Sequence, residues 1–277
     1  MGRPNDKDKI RKHYDVVSPY YQSLWGQHIH HGYWIRGYES KEQAQLQLIG
    51  HLAQVAGLLQ GCTILDVGCG FGGTAIYLAK NFGAKVTGIT ISQVQVEMAN
   101  SAAKRERADA KFFLMDAEEM NFDQRFDVVW STESVSHYQD VPKFFAGAAR
   151  VLKPAGILAL TDWFQKEKLT ASESKKFISP IERSMMVELH TMQSYEEWMR
   201  DNGLNLTARE ILNAQCAKTW DISLDIIKER EFWRLAARNG REFVRFLRGF
   251  SAMRVGFASG NFVYGVLVAH RSENAVK

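Results

Sequence analysis

A short apolar strand runs into a glycine-rich turn in the segment Ile64-Leu65-Asp66-Val67-Gly68-Cys69-Gly70-Phe71-Gly72-Gly73. A helical pattern starts at Thr74, so the turn joins a strand to a helix and lets the backbone approach a ligand closely. The spacing is G-x-G-x-G, whereas a dinucleotide-binding turn has G-x-G-x-x-G. Asp66 lies just before the first glycine, and a carboxylate there disfavours a pyrophosphate but suits a ligand that carries an ammonium group. We therefore expect this turn to bind a ligand other than a dinucleotide.

Strand and helix patterns alternate from residue 63 onward, which is typical of a parallel sheet with helices on both faces. Two helical patterns precede them. The predicted strands are 63–67, 85–91, 110–115, 126–131, 157–161, 206–212 and 260–270. The predicted helices are 6–16, 41–56, 74–81, 92–107, 141–152 and 194–202.

The composition indicates a globular enzyme. Of the 277 residues 45% are hydrophobic and 24% are charged, which excludes disordered and fibrous proteins. The net charge of +4 is too small to indicate nucleic acid binding, and no apolar run approaches the ~20 residues of a membrane span. Met1–Lys9 is too polar for a signal peptide, and Cys62, Cys69 and Cys216 match neither a disulfide framework nor a metal site. We expect a cytoplasmic protein without an integral membrane segment, and a homodimer stays open.

The glycine-rich turn and its setting resemble the class I S-adenosylmethionine-dependent methyltransferases. The resemblance covers Ile64–Asp162 and extends to the strands within Leu206–His270. It implies a Rossmann-like, seven-stranded, mostly parallel sheet with a helical cap, and S-adenosyl-L-methionine as the cofactor. Strand two ends without the usual acid, as in the subgroup of cyclopropane synthases, tocopherol methyltransferases and sarcosine/dimethylglycine methyltransferases.

The resemblance also implies which residues hold the cofactor. The turn would line its methionine portion, neutral side chains after strand two would reach the ribose, and an acid after strand three would accept from the adenine amino group. Taken alone, an acid at the end of a strand is more often a helix cap. The expected cofactor residues are Asp66, Gly68, Cys69, Gly70, Gly72, Thr90, Gln95, Asp116, Ala117 and Ser131.

The end of strand four is the expected position of the methyl-transfer chemistry, because ligands bind beyond strand carboxyl ends. His137 is the candidate base or positioning donor, although a packing histidine fits the sequence equally well. Glu133 either binds a cationic acceptor or orients a partner, or it contacts the cofactor loop. Cyclopropane synthases carry a glutamate immediately before the histidine, where this chain has Ser136. The serine favours simple methylation over cyclopropanation.

An aromatic and histidine-rich segment, 20–34, resembles the amino-terminal segment of tocopherol-type methyltransferases, which closes over the cofactor. Its clustered histidines lack a distant set of further ligands, so we expect no metal. The candidate substrate and lid residues are Tyr21, Trp25, His30, His31 and Tyr33.

The chain divides into an amino-terminal lid, 1–60, and a methyltransferase domain, 61–277, with cap insertions at about 163–193 and 213–256. The second insertion has arginines at helical spacing and an aromatic half that would line an acceptor pocket. Asn239-Gly240 is expected to stop the helix and to divide it into two short ones.

We conclude from the sequence that the chain transfers a methyl group to a small, hydrophobic or ring-containing metabolite, on carbon, oxygen or nitrogen. Two alternatives remain. A cyclase or pericyclase would keep the fold without transferring a methyl group, and an enzyme that methylates RNA or protein would need features that the modest charge and the motifs do not supply.

Overall fold

A computed structural model describes residues 5–225 and 228–273 of the chain, and it has the seven-stranded sheet that the sequence predicts. The strand order is β3-β2-β1-β4-β5-β7-β6, and β1 to β5 pair in parallel while β7 is antiparallel to β5 and β6. The strands are β1 Thr63–Val67, β2 Lys85–Thr90, β3 Ala110–Leu114, β4 Phe126–Thr132, β5 Leu152–Gln165, β6 Leu204–Ile211 and β7 Phe262–Arg271.

Strands β1 and β4 are neighbours in the sheet, and the direction in which strands are added along the sheet reverses between them. The chain passes from β1 outward to β2 and β3, and then returns to the other side of β1 to build β4 and β5. Such a reversal leaves a crevice beyond the carboxyl ends of the two central strands. The glycine-rich turn after β1 and the segment after β4 therefore meet at this crevice.

Helices cover both faces of the sheet. Apolar residues of the second, third and fourth helices pack in one core with the cap, whereas the fifth and eighth helices pack in the other. None of the described helices has the length and apolarity to cross a membrane. The helices are α1 Lys7–Trp25, α2 Lys41–Val55, α3 Gly73–Phe82, α4 Gln93–Glu106, α5 Val141–Val151, α6 Ala171–Glu173, α7 Ser179–Met185, α8 Met192–Asp201, α9 Asn213–Cys216, α10 Lys218–Asp225 and α11 Arg230–Ser259.

Helix α1 is longer than the sequence predicts. It continues beyond Val16 to Trp25, so the first part of the aromatic segment is helical and the loop begins at Gly26. Contacts with the start of α4 explain the extension, because Ser92 donates a hydrogen bond to Asp15 (2.5 Å) and the Gln95 amide donates to Ser18 (3.1 Å). The helix is therefore stabilised by tertiary contacts rather than by its own apolar pattern.

The expected break at Asn239-Gly240 is wrong. Helix α11 passes through both residues and ends at Ser259, where Gly260 caps it with a φ of +72°. A glycine inside a helix costs about 1 kcal/mol, and burial of the apolar residues Phe250, Met253 and Phe257 in the core offsets that cost. The arginines at helical spacing in the second insertion lie on this helix, but the side chains of several of them are outside the described residues. That these arginines form one basic face stays a prediction.

The close approach of β2 and β3 generates a prediction about stability. A Cβ on Gly88 would lie 2.4 Å from Cδ1 of Phe112, whereas a Cβ on Gly50 in α2 would meet nothing within 4 Å. We expect Gly88→Ala to destabilise the protein by about 1–3 kcal/mol and Gly50→Ala to stabilise it by about 0.5–1 kcal/mol. Urea unfolding of both variants measures the difference, and a Gly88→Ala protein as stable as the wild type would contradict the packing described here.

Candidate active site

The turn after β1 combines left-handed glycines with a buried carboxylate. Gly68 and Gly70 have φ of +75° and +52°, and a Cβ on Gly68 would lie 2.3 Å from Cβ of Ser134. Asp66 is 2% exposed, and its Oδ2 has no hydrogen-bond partner among the described residues. Burial raises the pKa of Asp66 to about 7. A buried carboxylate oxygen without a donor indicates that a ligand supplies one, and an ammonium group fits this requirement.

A cavity occupies the crevice next to Asp66, and two neutral side chains at and just after the end of β2 also line it. The Thr90 hydroxyl donates to Oε1 of Gln95 (2.6 Å), and both residues are buried. Because the Gln95 amide also donates to Ser18 on α1, these side chains are held in a fixed arrangement. They could offer the two hydroxyl groups of a ribose neutral hydrogen bonds.

Asp116 after β3 caps a 3₁₀ turn, as the alternative reading of the sequence anticipated. Its Oδ1 accepts from the Glu118 amide (2.9 Å). Its Oδ2 lies 2.7 Å from Nζ of Lys7, which is also 2.8 Å from Glu118. Desolvation alone would lower the pKa of Lys7, but the hydrogen bonds that its ammonium group donates to the two carboxylates raise the pKa above its usual value. Lys7 thus ties α1 to the end of the cavity where Asp116 and Ala117 lie.

His137 lies on a 3₁₀ turn after β4 and is a partly buried residue of the cavity wall. Its Nδ1 is 3.1 Å from the carbonyl of Met186, which can only accept, so this nitrogen carries the proton. Its Nε2, 3.2 Å from the Tyr14 hydroxyl, is then the acceptor of that O–H. Burial lowers the pKa of His137 to about 4, so the ring is neutral near pH 7.

Glu133 has the left-handed φ of +53° and connects the loop after α1 to the sheet. Its Oε1 accepts from the His31 amide (2.6 Å), from the His31 Nδ1 (2.9 Å) and from the Tyr264 hydroxyl (2.7 Å). Burial alone would raise the pKa of Glu133, but the charge and hydrogen bonds of His31 hold it below its ordinary value. Glu133 is therefore an ionised anchor for the loop.

The loop that carries His30 and His31 lies over the crevice. The Gln45 side chain donates to the carbonyls of His28 and His30 (2.7 and 3.0 Å), and the His31 ring stacks on Tyr264 at 4.2 Å between centroids. No group of three metal-binding side chains exists among the residues that the structure describes. The loop is thus held by hydrogen bonds and ring contacts.

The structure brings most of the predicted residues to one cavity but not all of them. Within the described part of the chain, Gly72, Ser131 and Tyr33 do not line it. Ser131 is fully buried against Ser134 (2.9 Å), which lines the cavity instead, and Tyr33 stacks on His51 outside it. The Tyr21 side chain lies outside the described residues. The predicted residues that line the cavity are Asp66, Gly68, Cys69, Gly70, Thr90, Gln95, Asp116, Ala117, Glu133, His137, Trp25, His30 and His31.

Other lining residues were not identified from the sequence. Tyr14 and Lys7 come from a helix that reads as mixed and charged. Trp163 lies near the carboxyl end of β5, where the first insertion is predicted to begin, and Trp220 lies on α10 in the second insertion. Tyr14 and His137 are 123 positions apart in the chain, so no local pattern connects them. For the tryptophans, the only signal was the aromatic content of the cap.

The seven-stranded sheet, the turn beyond β1 and the unpaired carboxylate together define a class I S-adenosylmethionine-dependent methyltransferase. The residues fit this cofactor, because an orphaned acceptor lies beside glycines that a Cβ would block. The chain belongs to the mycolic acid cyclopropane synthetase family, which it matches over residues 2–259.

Individual relatives are methyltransferases. The chain is 34% identical over 223 residues to the 27-O-demethylrifamycin SV methyltransferase of Amycolatopsis mediterranei, covering 79% of this chain and 82% of the relative. It is 28% identical over 287 residues to the tocopherol O-methyltransferase of Arabidopsis thaliana, covering 95% and 81%.

Solved structures have the same fold. The [4+2]-cyclase SpnF superposes with a TM-score of 0.84 at 25% identity, covering 98% of this chain and 97% of that one. The mycolic acid cyclopropane synthase CmaA1, complexed with SAH and CTAB, superposes with a TM-score of 0.85 at 21% identity, covering 95% and 98%.

The raised pKa of Asp66 predicts a pH-dependent affinity for S-adenosylhomocysteine. Below a pKa of about 7 the carboxyl is protonated and cannot pair with an ammonium group, so affinity should fall by up to about tenfold per pH unit on acidification. Asp66→Asn should bind weakly at every pH, and exposed Asp123→Asn should behave as wild type. Calorimetry from about pH 5.5 to about 8.5 measures this. A flat wild-type profile would contradict it.

The raised pKa of Asp66 also predicts that the ligand-free protein becomes less stable as the pH rises. An acid whose pKa rises on folding from 3.8 to about 7 binds protons more tightly in the folded state, so its stabilising effect is lost as pH rises through that window. Ligand-free Asp66→Asn should therefore unfold at a higher temperature than wild type at about pH 8. Scanning calorimetry tests this, and a lower melting temperature would show that Asp66 stabilises the fold.

The bridge from Lys7 to the two carboxylates predicts a role in ligand retention. We expect Lys7→Met to speed dissociation of S-adenosylhomocysteine several-fold, because α1 then opens more readily. Lys9→Met is the matched control, since the Lys9 side chain is 65% exposed and, among the described residues, forms an ion pair with Asp6 alone. Stopped-flow displacement measures both rates. Equal rates in the two variants would show that the bridge does not hold α1 closed.

Proposed function

We propose that the chain methylates a neutral, ring-containing hydrophobic molecule held between the glycine-rich turn and the helical cap. The observation that carries the proposal is the composition of the cavity wall. Its apolar part includes Trp25, Trp163, Trp220 and Phe250 together with three methionines. Ring-lined cavities favour flat hydrophobic ligands.

The charges of the cavity wall support a neutral acceptor over an anionic one. Among its described residues the wall has four carboxylates and no arginine. Lys7 is the lysine in the wall, and two of those carboxylates already neutralise it. A phosphate or diphosphate group would therefore be held next to Glu133 and Asp66 without a free cation, which costs free energy.

S-adenosylmethionine, when bound, supplies a methyl group that its sulfonium makes electrophilic. In our proposal Asp66 accepts from its ammonium group, Thr90 and Gln95 bind its ribose, and the Asp116–Ala117 segment binds its adenine. Residues 1–60 act as a lid that excludes water. Orientation of this kind contributes about 7–11 kcal/mol to catalysis, so a dedicated catalytic dyad is not a strict requirement.

The Tyr14–His137 pair would remove a proton from the acceptor. Because Tyr14 donates its own proton to Nε2 of His137, its oxygen keeps lone pairs for a hydrogen bond from an acceptor hydroxyl. The acceptor proton then passes to the Tyr14 oxygen as the Tyr14 proton moves to Nε2. The nearby Glu133 carboxylate favours the resulting imidazolium. Glu133 itself acts as the anchor of His31 in this proposal.

The relatives support an acceptor of this kind. Two of those that match most of this chain are a rifamycin methyltransferase and a tocopherol O-methyltransferase. By their names, the first methylates 27-O-demethylrifamycin SV and the second is an O-methyltransferase of tocopherol. The alternative of a cyclase is favoured by the likeness to SpnF alone. Product isomerised at unchanged mass would indicate the cyclase, whereas a gain of one methyl group indicates transfer.

The proposal predicts the effect of removing the proton acceptor. With labelled S-adenosylmethionine and a metabolite extract, the wild type should produce a labelled product that extracts into organic solvent. Tyr14→Phe and His137→Ala should lower the turnover rate about 10²- to 10⁴-fold and leave affinity for S-adenosylhomocysteine nearly unchanged.

Control variants lie outside the cavity. Tyr77→Phe on α3 and His51→Gln, which pairs with Glu210, should keep wild-type turnover. Full activity of Tyr14→Phe and His137→Ala would exclude the pair as the base. If the wild type binds S-adenosylhomocysteine but labels no product, the result would count against methyl transfer.

We also propose that the protein acts in the cytoplasm, where thiols stay reduced. All three cysteines are free and buried, which suits such a compartment. A homodimer stays a prediction that light scattering of the purified protein tests.

A further inference from the structure

Two tryptophans of the cavity wall have indole N–H groups without an acceptor. Trp163, at the carboxyl end of β5, is 8% exposed, and Trp220 on α10 is 3% exposed. Among the described residues neither Nε1 has a hydrogen-bond partner. A buried donor that gives up water without gaining an acceptor costs free energy, so such donors are rare in folded proteins.

The comparison with other buried tryptophans of the chain makes these two unusual. Trp34 donates its indole N–H to the carbonyl of Glu39 (3.1 Å), and Trp130 donates to the hydroxyl of Thr132 (3.0 Å). Neither of these paired tryptophans lines the cavity, whereas Trp163 and Trp220 both do. The unpaired indole donors are thus found where a ligand can supply the acceptor.

Trp163 and Trp220 belong to one wall of the cavity. The ring centroid of each lies 6.1 Å from that of Phe262, and both contact His31, at 6.1 and 4.6 Å. The Trp163 ring also lies 6.4 Å from that of His137. Trp163 therefore lies next to the proposed base, and Trp220 belongs to the same wall through the shared contacts with His31 and Phe262.

We propose that Trp163 and Trp220 form a subsite that binds a neutral carbonyl oxygen of the methyl acceptor. Indole N–H groups only donate, so their partner must accept, and a carbonyl oxygen has two lone pairs. The ionised Glu133 nearby disfavours a carboxylate or phosphate oxygen in the same place. The subsite rests on the proposed function, and it identifies the acceptor as an oxygenated ring compound such as a cyclic or aryl ketone, a quinone or a lactone.

The test uses matched pairs of small probes that differ only in the carbonyl group. The ketones are 1-indanone, 1-tetralone and 2-acetylnaphthalene, and their partners are indane, tetralin and 2-ethylnaphthalene. Each probe is titrated into protein with ¹⁵N-labelled tryptophan, with and without saturating S-adenosylhomocysteine. The indole signals are assigned with single Trp→Phe variants, which keep an aromatic ring and remove the donor.

At least one ketone should bind about 3- to 10-fold more tightly than its hydrocarbon partner and should shift the Trp163 and Trp220 indole signals downfield. The Trp34 and Trp130 signals should not follow this shift. Trp163→Phe and Trp220→Phe should each reduce the preference for the ketone. Trp233→Phe, at a site that is 56% exposed, should leave the preference unchanged.

Equal affinities within every pair, no binding by any ketone, or an unchanged preference in both variants would overturn the subsite. Upfield indole signals that no ketone moves would also overturn it, because they would show that each N–H is satisfied by a neighbouring ring face. Calorimetry with S-adenosylhomocysteine separates the two proposals. No binding of that nucleoside would refute the methyltransferase proposal while the ketone preference could still be measured in the free protein.

Discussion

Ligand binding in this protein depends on one buried carboxylate without a hydrogen-bond donor. This carboxylate, that of Asp66, lies where β1 meets the glycine-rich turn. Asp66 loses its water on folding and gains no partner for Oδ2 among the described residues, so burial raises its pKa to about 7. The unpaired carboxylate lowers the stability of the ligand-free protein and favours binding of a cationic ligand. The glycines that follow keep the space beside the carboxylate open, because a Cβ on Gly68 would collide with Ser134.

The amino-terminal segment converts this open turn into an enclosed cavity. Helix α1 is attached by Lys7 at the Asp116 end and by Asp15 at the start of α4, while Glu133 anchors the following loop through His31. These contacts cross long stretches of sequence, and they join the segment to residues that follow the carboxyl ends of β3, β2 and β4. Enclosure removes water and fixes orientation, which are the main needs of a reaction whose methyl group is already electrophilic.

The sequence was sufficient for the parts of the structure that local patterns determine. Strand alternation predicted the seven-stranded sheet, and the turn after β1 indicated the ligand site, because Asp66 and its glycines are neighbours in the chain. Tyr14 could not be found in this way, since its contact with His137 exists only after α1 folds over the sheet. Asn239-Gly240 misled for a related reason: local helix-stop chemistry was outweighed by packing of Phe250 and Met253 in the core.

The most direct test is a crystal structure of the protein with S-adenosylhomocysteine bound. We expect the amino acid portion of the nucleoside to lie along Gly68–Gly70, with its ammonium nitrogen about 3 Å from Oδ2 of Asp66. We expect its sulfur to lie on the side of His137, beneath α1. A nucleoside bound elsewhere, or an Asp66 carboxylate that turns away from it to a protein donor, would show that Asp66 does not hold the cofactor.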